Sequence, residues 1–227
     1  MKNRNYGAAD IKAINILGDK LGRCVIKDNF LFLYIPKNAS TSLVRSGNGL
    51  HFDKPYKNYF DLEEKVKSKI ITSTVIRNPL NRFVSVFLEM IIHPQKYAKL
   101  FERCSNVTEV KKFIDYTNEI FKNPFEGYYR NQYLYFSGIN IDYFILMNNL
   151  NEDFKVLARK FNLPIKFPLP KINTKVANKR LSKVRNNIHN EIKNDNKLYQ
   201  QINDICKEDL KIYNKIKNRK DILECPK

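Results

Sequence analysis

The chain has 227 residues, of which 43% are hydrophobic and 12% aromatic, and its formal net charge is +18 at pH 7. This length suits one α/β domain and is too short for two ordinary domains with a linker, so we predict a single domain over residues 1–227. The composition excludes a disordered chain, and the lack of any long uncharged apolar run argues against a transmembrane segment. The charge favours anionic partners: nucleotides, acidic glycans, nucleic acid or acidic membrane surfaces.

The four cysteines are widely spaced and form no Cys-x-x-Cys pair. The sequence therefore predicts neither a zinc site nor a disulfide framework, and we expect no bound metal. A reduced cytoplasmic setting is the default for such a chain. The N-terminal residues lead into polar sequence without an apolar stretch, so we predict no secretion signal, while the basic charge allows peripheral association with an acidic membrane surface.

In chain order, residues 1–20 form a weakly patterned lead-in. Residues 23–27, which have an apolar centre, and the apolar run 30–35 lie on either side of Asp28-Asn29, which predicts a hairpin that enters a sheet. Directly after the second of these strands, the hydroxyl residues 40–42 favour the start of a helix. The sequence thus predicts a strand that breaks into a helix.

The next strand and helix repeat this arrangement. Residues 70–76 have the composition of a buried strand, and Asn78 followed by proline is typical of a helix start. Apolar residues then follow at helical spacing: Leu80, Phe83, Val84, Phe87, Leu88 and Ile91. The polar face of this helix is predicted to carry Arg82, Ser85 and Glu89, which are three and four positions apart.

The rest of the chain is predicted to continue the alternation. We expect helices over residues 108–121, 127–136 and 151–161 and a strand over 141–147. Three prolines within residues 163–173 predict a loop or an extended segment there. A basic helical tail, continuous or interrupted, is expected within residues 187–227. Alternating strands and helices favour the α/β fold class.

Two of the predicted strands end in turns that carry a cation and hydroxyl groups. Pro36-Lys37-Asn38-Ala39-Ser40-Thr41-Ser42 offers backbone N–H groups, one ammonium and three hydroxyls, which suits a terminal phosphate or sulfate. In the second turn, Arg77 and Ser85 are suited to hold one phosphate, by a charge-assisted fork and a hydroxyl. Both turns fall at the carboxyl edge of the predicted sheet, which indicates a ligand with two separate phosphate groups.

Two other functions remain open at this point. A nucleotide kinase loses its main support because no Gly-Lys pair occurs and the pattern Gly-x-x-x-x-Gly-Lys-Ser/Thr is therefore absent. A nucleic-acid-binding protein is suggested by the charge and the 13 tyrosines, but the sequence carries neither a zinc-finger nor an RNA-recognition signature. We therefore expect no nucleic-acid partner.

Residues 35–42 resemble the 5′-phosphosulfate loop of sulfotransferases that use 3′-phosphoadenosine 5′-phosphosulfate (PAPS), and residues 75–85 resemble their 3′-phosphate motif. The chain is similar to the carbohydrate sulfotransferases of the Golgi type (family 2) and their bacterial relatives, with weaker similarity up to residue 173. The resemblance implies a P-loop-like three-layer α/β fold, with a central, mostly parallel sheet flanked by helices. It also implies transfer of the sulfuryl group from PAPS to a hydroxyl acceptor, a carbohydrate, without a metal.

The resemblance further implies which residues hold the donor: Lys37, Asn38, Ala39, Ser40, Thr41, Ser42, Arg77 and Ser85. Lys37 would contact the 5′-phosphosulfate and stabilise charge on the leaving phosphate, which makes it a catalytic residue as well.

The acceptor hydroxyl also needs a base. His51 lies between the two turns and titrates in the right range, so we expect it to be catalytic; Glu63, Glu64 and Glu89 remain open as alternatives. The positive charge indicates an acidic glycan as the acceptor.

Overall fold

The computed structural model describes the following residues: 22–27, 29–39, 57–93, 108–122, 130–163, 167–169 and 179–218. The chain falls into two compact units. The first comprises Met1–Arg77, Asn131–Ile172 and Ile212–Lys227, and the second comprises Asn78–Arg130 and Asn173–Lys211. The single domain inferred from the chain length stays a prediction, and the lead-in over residues 1–20 lies outside the described residues.

A mixed sheet forms the centre of the first unit. Within the described residues its strands are β1 (Arg23–Lys27), β2 (Phe30–Leu33), β3 (Lys57–Asn58), β4 (Ile71–Ile76) and β5 (Tyr143–Leu146). The strand order is β3-β1-β2-β4-β5, with β2, β4 and β5 mutually parallel and β1 antiparallel to both of its neighbours. The predicted hairpin and the predicted parallel centre of the sheet are both confirmed.

The helices of the described part of the chain are α1 (Glu64–Lys67), α2 (Pro79–Ile92), α3 (Glu109–Lys122), α4 (Leu150–Lys160), α5 (Lys179–Asn194), α6 (Asn196–Ile205) and α7 (Lys207–Lys217). Short 3-10 helices cover Tyr59–Asp61, Gln132–Phe136 and Met147–Asn149. The predicted helix over 127–136 is therefore a single 3-10 segment in its described part, and the predicted tail consists of three helices. None of the helices among the described residues is long and apolar enough to cross a bilayer.

Helical segments cover both faces of the sheet within the first unit. On one face, apolar residues of the sheet pack against apolar residues of α4. The sheet contributes Phe30, Phe32, Val75 and Ile145, and α4 contributes Phe154 and Leu157. On the other face, Ile35, just after β2, and Ile76, the last residue of β4, pack against two helical segments. These are the 3-10 helix Gln132–Phe136, through Leu134 and Tyr135, and the last turns of α7, through Tyr213 and Ile216. This three-layer arrangement confirms the predicted fold class.

Strand β4 is joined to β2 by its side chains as well as by its main chain. The buried hydroxyl groups of Ser73 and Thr74 donate to the carbonyl oxygens of Leu31 and Leu33, at 3.0 and 3.2 Å. Buried hydroxyls need such partners, since an unpaired one destabilises the fold. Leu33 lies opposite Thr74 in the parallel register, so the segments that follow the two strands leave the sheet at the same edge.

The second unit begins with the predicted helix, whose cap is confirmed. The side chain of Asn78 accepts from the Asn81 N–H at 3.0 Å, and Pro79 occupies the first turn. Apolar residues of α2 pack with those of the other helices of this unit: Phe83, Phe87, Phe113, Tyr116, Ile188 and Ile202.

One residue assigned to the polar face of α2 is buried instead. The Arg82 side chain is 2% exposed, and its Nη1 donates to the carbonyl oxygen of Arg130 at 2.6 Å. The apolar stem of arginine packs among hydrophobic side chains while the guanidinium finds a main-chain acceptor. Helical periodicity cannot indicate this outcome, since the acceptor belongs to a distant part of the chain.

A buried carboxylate braces the loop that joins β5 to α4. Asp153 accepts from the Leu146 N–H at 3.1 Å. Its burial raises the pKa of the carboxyl group above the ordinary value, the Leu146 hydrogen bond lowers it, and the neighbouring Glu152 raises it. The net shift is upward.

We expect Asp153→Asn to leave the protein at least as stable as the wild type near pH 7. The pKa of Asp153 is higher in the folded than in the unfolded protein, so the folded protein keeps this proton to a higher pH. The free energy of unfolding of the wild type therefore falls as the pH rises from the unfolded-state pKa through the folded-state pKa. The asparagine oxygen still accepts from Leu146 and carries no charge. Urea unfolding from about pH 4 to pH 7 measures the difference, with Asp61→Asn as an exposed control. A loss above about 1 kcal/mol at pH 7, the value of one hydrogen bond, would contradict the expectation.

Candidate functional site

The first predicted anion turn follows β2 and has an unusual backbone. Lys37 and Ala39 adopt positive φ angles of 70° and 58°, on either side of Asn38. Residues with a Cβ atom seldom occupy this region, and such conformations persist where surrounding contacts hold them. The Asn38 N–H donates to the carbonyl oxygen of Ile35 at 3.3 Å, which closes the turn.

Asn38 ties this turn to the neighbouring strand. Its side chain is buried at 1% exposure, and its Nδ2 donates to the Val75 carbonyl oxygen at 2.7 Å and to Gln132 Oε1 at 2.6 Å. Both partners accept hydrogen bonds, so the orientation of the amide is determined. The described contacts of Asn38 are therefore with the protein interior, and its part in the donor cradle stays a prediction.

The second predicted turn begins at Arg77, directly after β4, and it touches the first. Arg77 Nη1 donates to the Lys37 carbonyl oxygen at 3.0 Å. The two cationic residues assigned to separate phosphate groups thus lie side by side at the carboxyl edge of the sheet. This placement agrees with the expectation that parallel strands bring their terminal turns together.

Gln132 is a further residue beside these turns, and no pattern in the sequence indicated it. Its side chain is 1% exposed; Oε1 accepts from the Arg77 N–H at 2.9 Å, and Nε2 donates to the Arg77 carbonyl oxygen at 2.9 Å. The same Oε1 accepts from Asn38. In the sequence, Gln132 is a polar residue among the aromatic residues of a predicted helix, and this does not indicate a contact with either turn.

The other predicted donor-binding residues are placed as follows. Ser40, Thr41 and Ser42 lie outside the described residues. Ser85 is half-buried in α2, which belongs to the second unit, so its pairing with Arg77 stays a prediction.

Of the candidate bases, His51 lies outside the described residues. Glu63 lines an open pocket of about 370 Å³ with Asn29, Lys69 and Ile70, beside the amino ends of β2 and β4 and thus at the edge opposite Lys37. Glu64 is exposed and forms an ion pair with Lys67 at 2.9 Å. Glu89 lies in the second unit, with its carboxylate 3.8 Å from Nε2 of His93. The positions of Glu63 and Glu64 do not favour a role beside Lys37.

The arrangement is suited to binding an anion. Lys37 and Arg77 carry an ammonium and a guanidinium on adjacent turns, and guanidinium groups offer planar, charge-assisted hydrogen bonds to phosphate oxygens. Among the described residues, no group of three or more His, Cys, Asp or Glu side chains is arranged to hold a metal ion. The fold and the turns together define an α/β protein whose two cationic turn residues, a candidate site for anions, lie at the carboxyl edge of its sheet.

Comparison with known families identifies the class more closely. A model of the sulfotransferase family, of the family 2 type, matches residues 25–215, which include both turns. The chain therefore belongs to this family, which confirms the resemblance drawn from the sequence, and it is a transferase of sulfuryl groups. No curated protein and no solved structure matches the chain significantly.

Proposed function

We propose that this sulfotransferase uses PAPS as its donor and transfers the sulfuryl group to a hydroxyl of a carbohydrate, with an acidic glycan as the acceptor class. The observation that carries the proposal is the 3.0 Å contact between Arg77 Nη1 and the Lys37 carbonyl oxygen. The contact supports the proposal because it puts the residues that carry the two cations on adjacent turns, and a donor with phosphate groups at its 5′ and 3′ positions needs two cations.

The chemistry of the predicted donor-binding residues suits PAPS. Lys37, with Ala39 and the hydroxyl residues 40–42, would hold the 5′-phosphosulfate, and Arg77 with Ser85 would hold the 3′-phosphate. PAPS supplies an activated sulfuryl group, whose S–O bond to the 5′-phosphate breaks as the acceptor oxygen bonds to sulfur. Lys37 would then stabilise the negative charge that develops on the leaving phosphate, and aligned turn N–H groups would add to this effect.

A base must remove the proton of the acceptor hydroxyl, and His51 remains our assignment for that role. The acidic acceptor is supported by the charge of +18 and by exposed cations on α5, such as Lys183 and Arg185. A cytoplasmic location, independence of metal ions and the lack of a nucleic-acid partner stay predictions.

Thermal unfolding with the product nucleotide 3′-phosphoadenosine 5′-phosphate (PAP), with ADP and with ATP tests the donor. We expect PAP to raise Tm most, by about 5–10 °C at 100 times its Kd, since binding to the folded state alone adds about 2.7 kcal/mol. EDTA should not reduce this shift. Equal shifts with all three nucleotides would contradict the proposal, and a response only to ATP with magnesium would favour a kinase. Oligonucleotide binding with a steep salt dependence, without a response to PAP, would favour a nucleic-acid-binding protein.

A further inference from the structure

We infer that Gln132 is a positioning residue for donor binding, which holds the two cationic turns at the separation that the nucleotide requires. This inference rests on the proposed function. The ladder between β4 and β5 ends at the pair Ile76 and Leu146, so Arg77 is the first residue beyond it. Gln132 pairs with both main-chain groups of Arg77, as a residue of a neighbouring strand would.

The orientation of the Gln132 amide is determined by its partners. Oε1 receives two donors, the Arg77 N–H and Asn38 Nδ2, and Nε2 faces the Arg77 carbonyl oxygen. The reversed amide would place oxygen against oxygen and N–H against N–H, which is unfavourable for a group with 1% exposure. The side chain therefore has one arrangement that satisfies its contacts.

These contacts connect the two turns by two separate routes. In one route, the Asn38 side chain of the first turn donates to Gln132 Oε1, which also accepts from the main-chain N–H of Arg77. In the other route, the guanidinium of Arg77 donates to the Lys37 carbonyl oxygen. Because Lys37 and Asn38 are consecutive, moving Gln132 displaces the residues that carry both cations.

The central test is Gln132→Leu, which keeps the approximate volume and removes the three hydrogen bonds described above. We expect the Kd for PAP, measured by calorimetry, to rise by about 10- to 100-fold, since the loss of one hydrogen bond to a charged group has an effect of that size. In the ligand-free protein, hydrogen exchange of the Arg77 amide should become about 10-fold faster or more, because its acceptor is lost.

The matched control is Thr72→Val. The buried Thr72 hydroxyl donates to the Asn140 carbonyl oxygen at 2.6 Å and accepts from the Asp142 N–H at 3.0 Å, so this change also removes side-chain to main-chain hydrogen bonds in the same unit, but near the amino end of β4, opposite the edge that carries the turns. We expect it to lower stability while changing the Kd for PAP by less than about 2-fold. A purely structural role for Gln132 predicts the same behaviour in Gln132→Leu, and that result would overturn the inference.

A second variant covers the case in which Gln132→Leu does not fold. Gln132→Asn keeps the uncharged amide but is one methylene shorter, so it cannot reach both Asn38 and the main chain of Arg77, and PAP should bind more weakly than to the wild type. Wild-type affinity in this variant would also overturn the inference. If the wild type itself does not bind PAP, the proposed function fails together with the role of Gln132 in donor binding. Hydrogen exchange of the Arg77 amide in the ligand-free variants then shows separately whether Gln132 connects the two turns.

Discussion

Replacing Lys37 with alanine is expected to slow sulfuryl transfer by about 10²- to 10³-fold, the usual effect of removing one group that stabilises developing charge. Lys37 already holds a positive φ of 70°, and alanine has the same Cβ atom, so the change adds no backbone strain. The fold should therefore persist, because the main-chain contact from Arg77 uses the Lys37 carbonyl oxygen. Initial rates of PAP release from PAPS, with an acceptor glycan found by screening, measure the effect.

Lys65→Ala is the matched control, because Lys65 is exposed on α1 and lines the pocket at the opposite edge of the sheet. It removes the same charge from the same unit and should leave the rate unchanged. A Lys37→Ala variant that transfers at the wild-type rate would refute the catalytic assignment. Lys37→Arg keeps the charge in a different shape, and we expect an intermediate rate.

Arg77→Ala is expected to weaken PAP binding by on the order of 10²-fold, because a hydrogen bond to a charged group contributes up to about 3 kcal/mol. ADP lacks the 3′-phosphate, so its affinity should fall much less. The contact between Arg77 and the Lys37 carbonyl oxygen predicts a smaller loss that both nucleotides share, since removing the guanidinium also loosens the first turn. Calorimetric titration of the variant with PAP and with ADP separates the two effects.

Arg159→Ala serves as the control for charge, since Arg159 is exposed near the end of α4 in the same unit. Both nucleotides should bind this variant as they bind the wild type. If Arg77→Ala weakened PAP and ADP equally, Arg77 would act by supporting the first turn, and its assignment to the 3′-phosphate would be wrong.

Features that depend on neighbouring residues were predictable from the sequence. The hairpin of β1 and β2 follows from two apolar runs around a short polar turn, and the start of α2 follows from Asn78 and Pro79. Both depend on backbone preferences and hydrogen bonds that form within a few residues. The same holds for Lys37 and Arg77 as turn residues, because each directly follows an apolar run that forms a strand.

Features that depend on distant partners were not predictable. Arg82 was assigned to solvent, and the structure buries it against the Arg130 carbonyl oxygen. Gln132 carried no signal, because its role depends on Asn38 and Arg77, which are 94 and 55 positions away. Periodicity records which face of an element is apolar, and it does not show which polar group will meet a buried side chain.

The amino-acid sequence by itself determined the fold class, the family and the two cationic turns of this protein, because strand composition, helix caps and short motifs are local properties of the chain. Only the tertiary structure decided that Lys37 and Arg77 meet at 3.0 Å and that Gln132 joins their turns. The physical reason is the parallel register of β2 and β4, which brings segments that are distant in the sequence to one edge of the sheet. There the main-chain groups that follow the strands form hydrogen bonds with a buried side-chain amide.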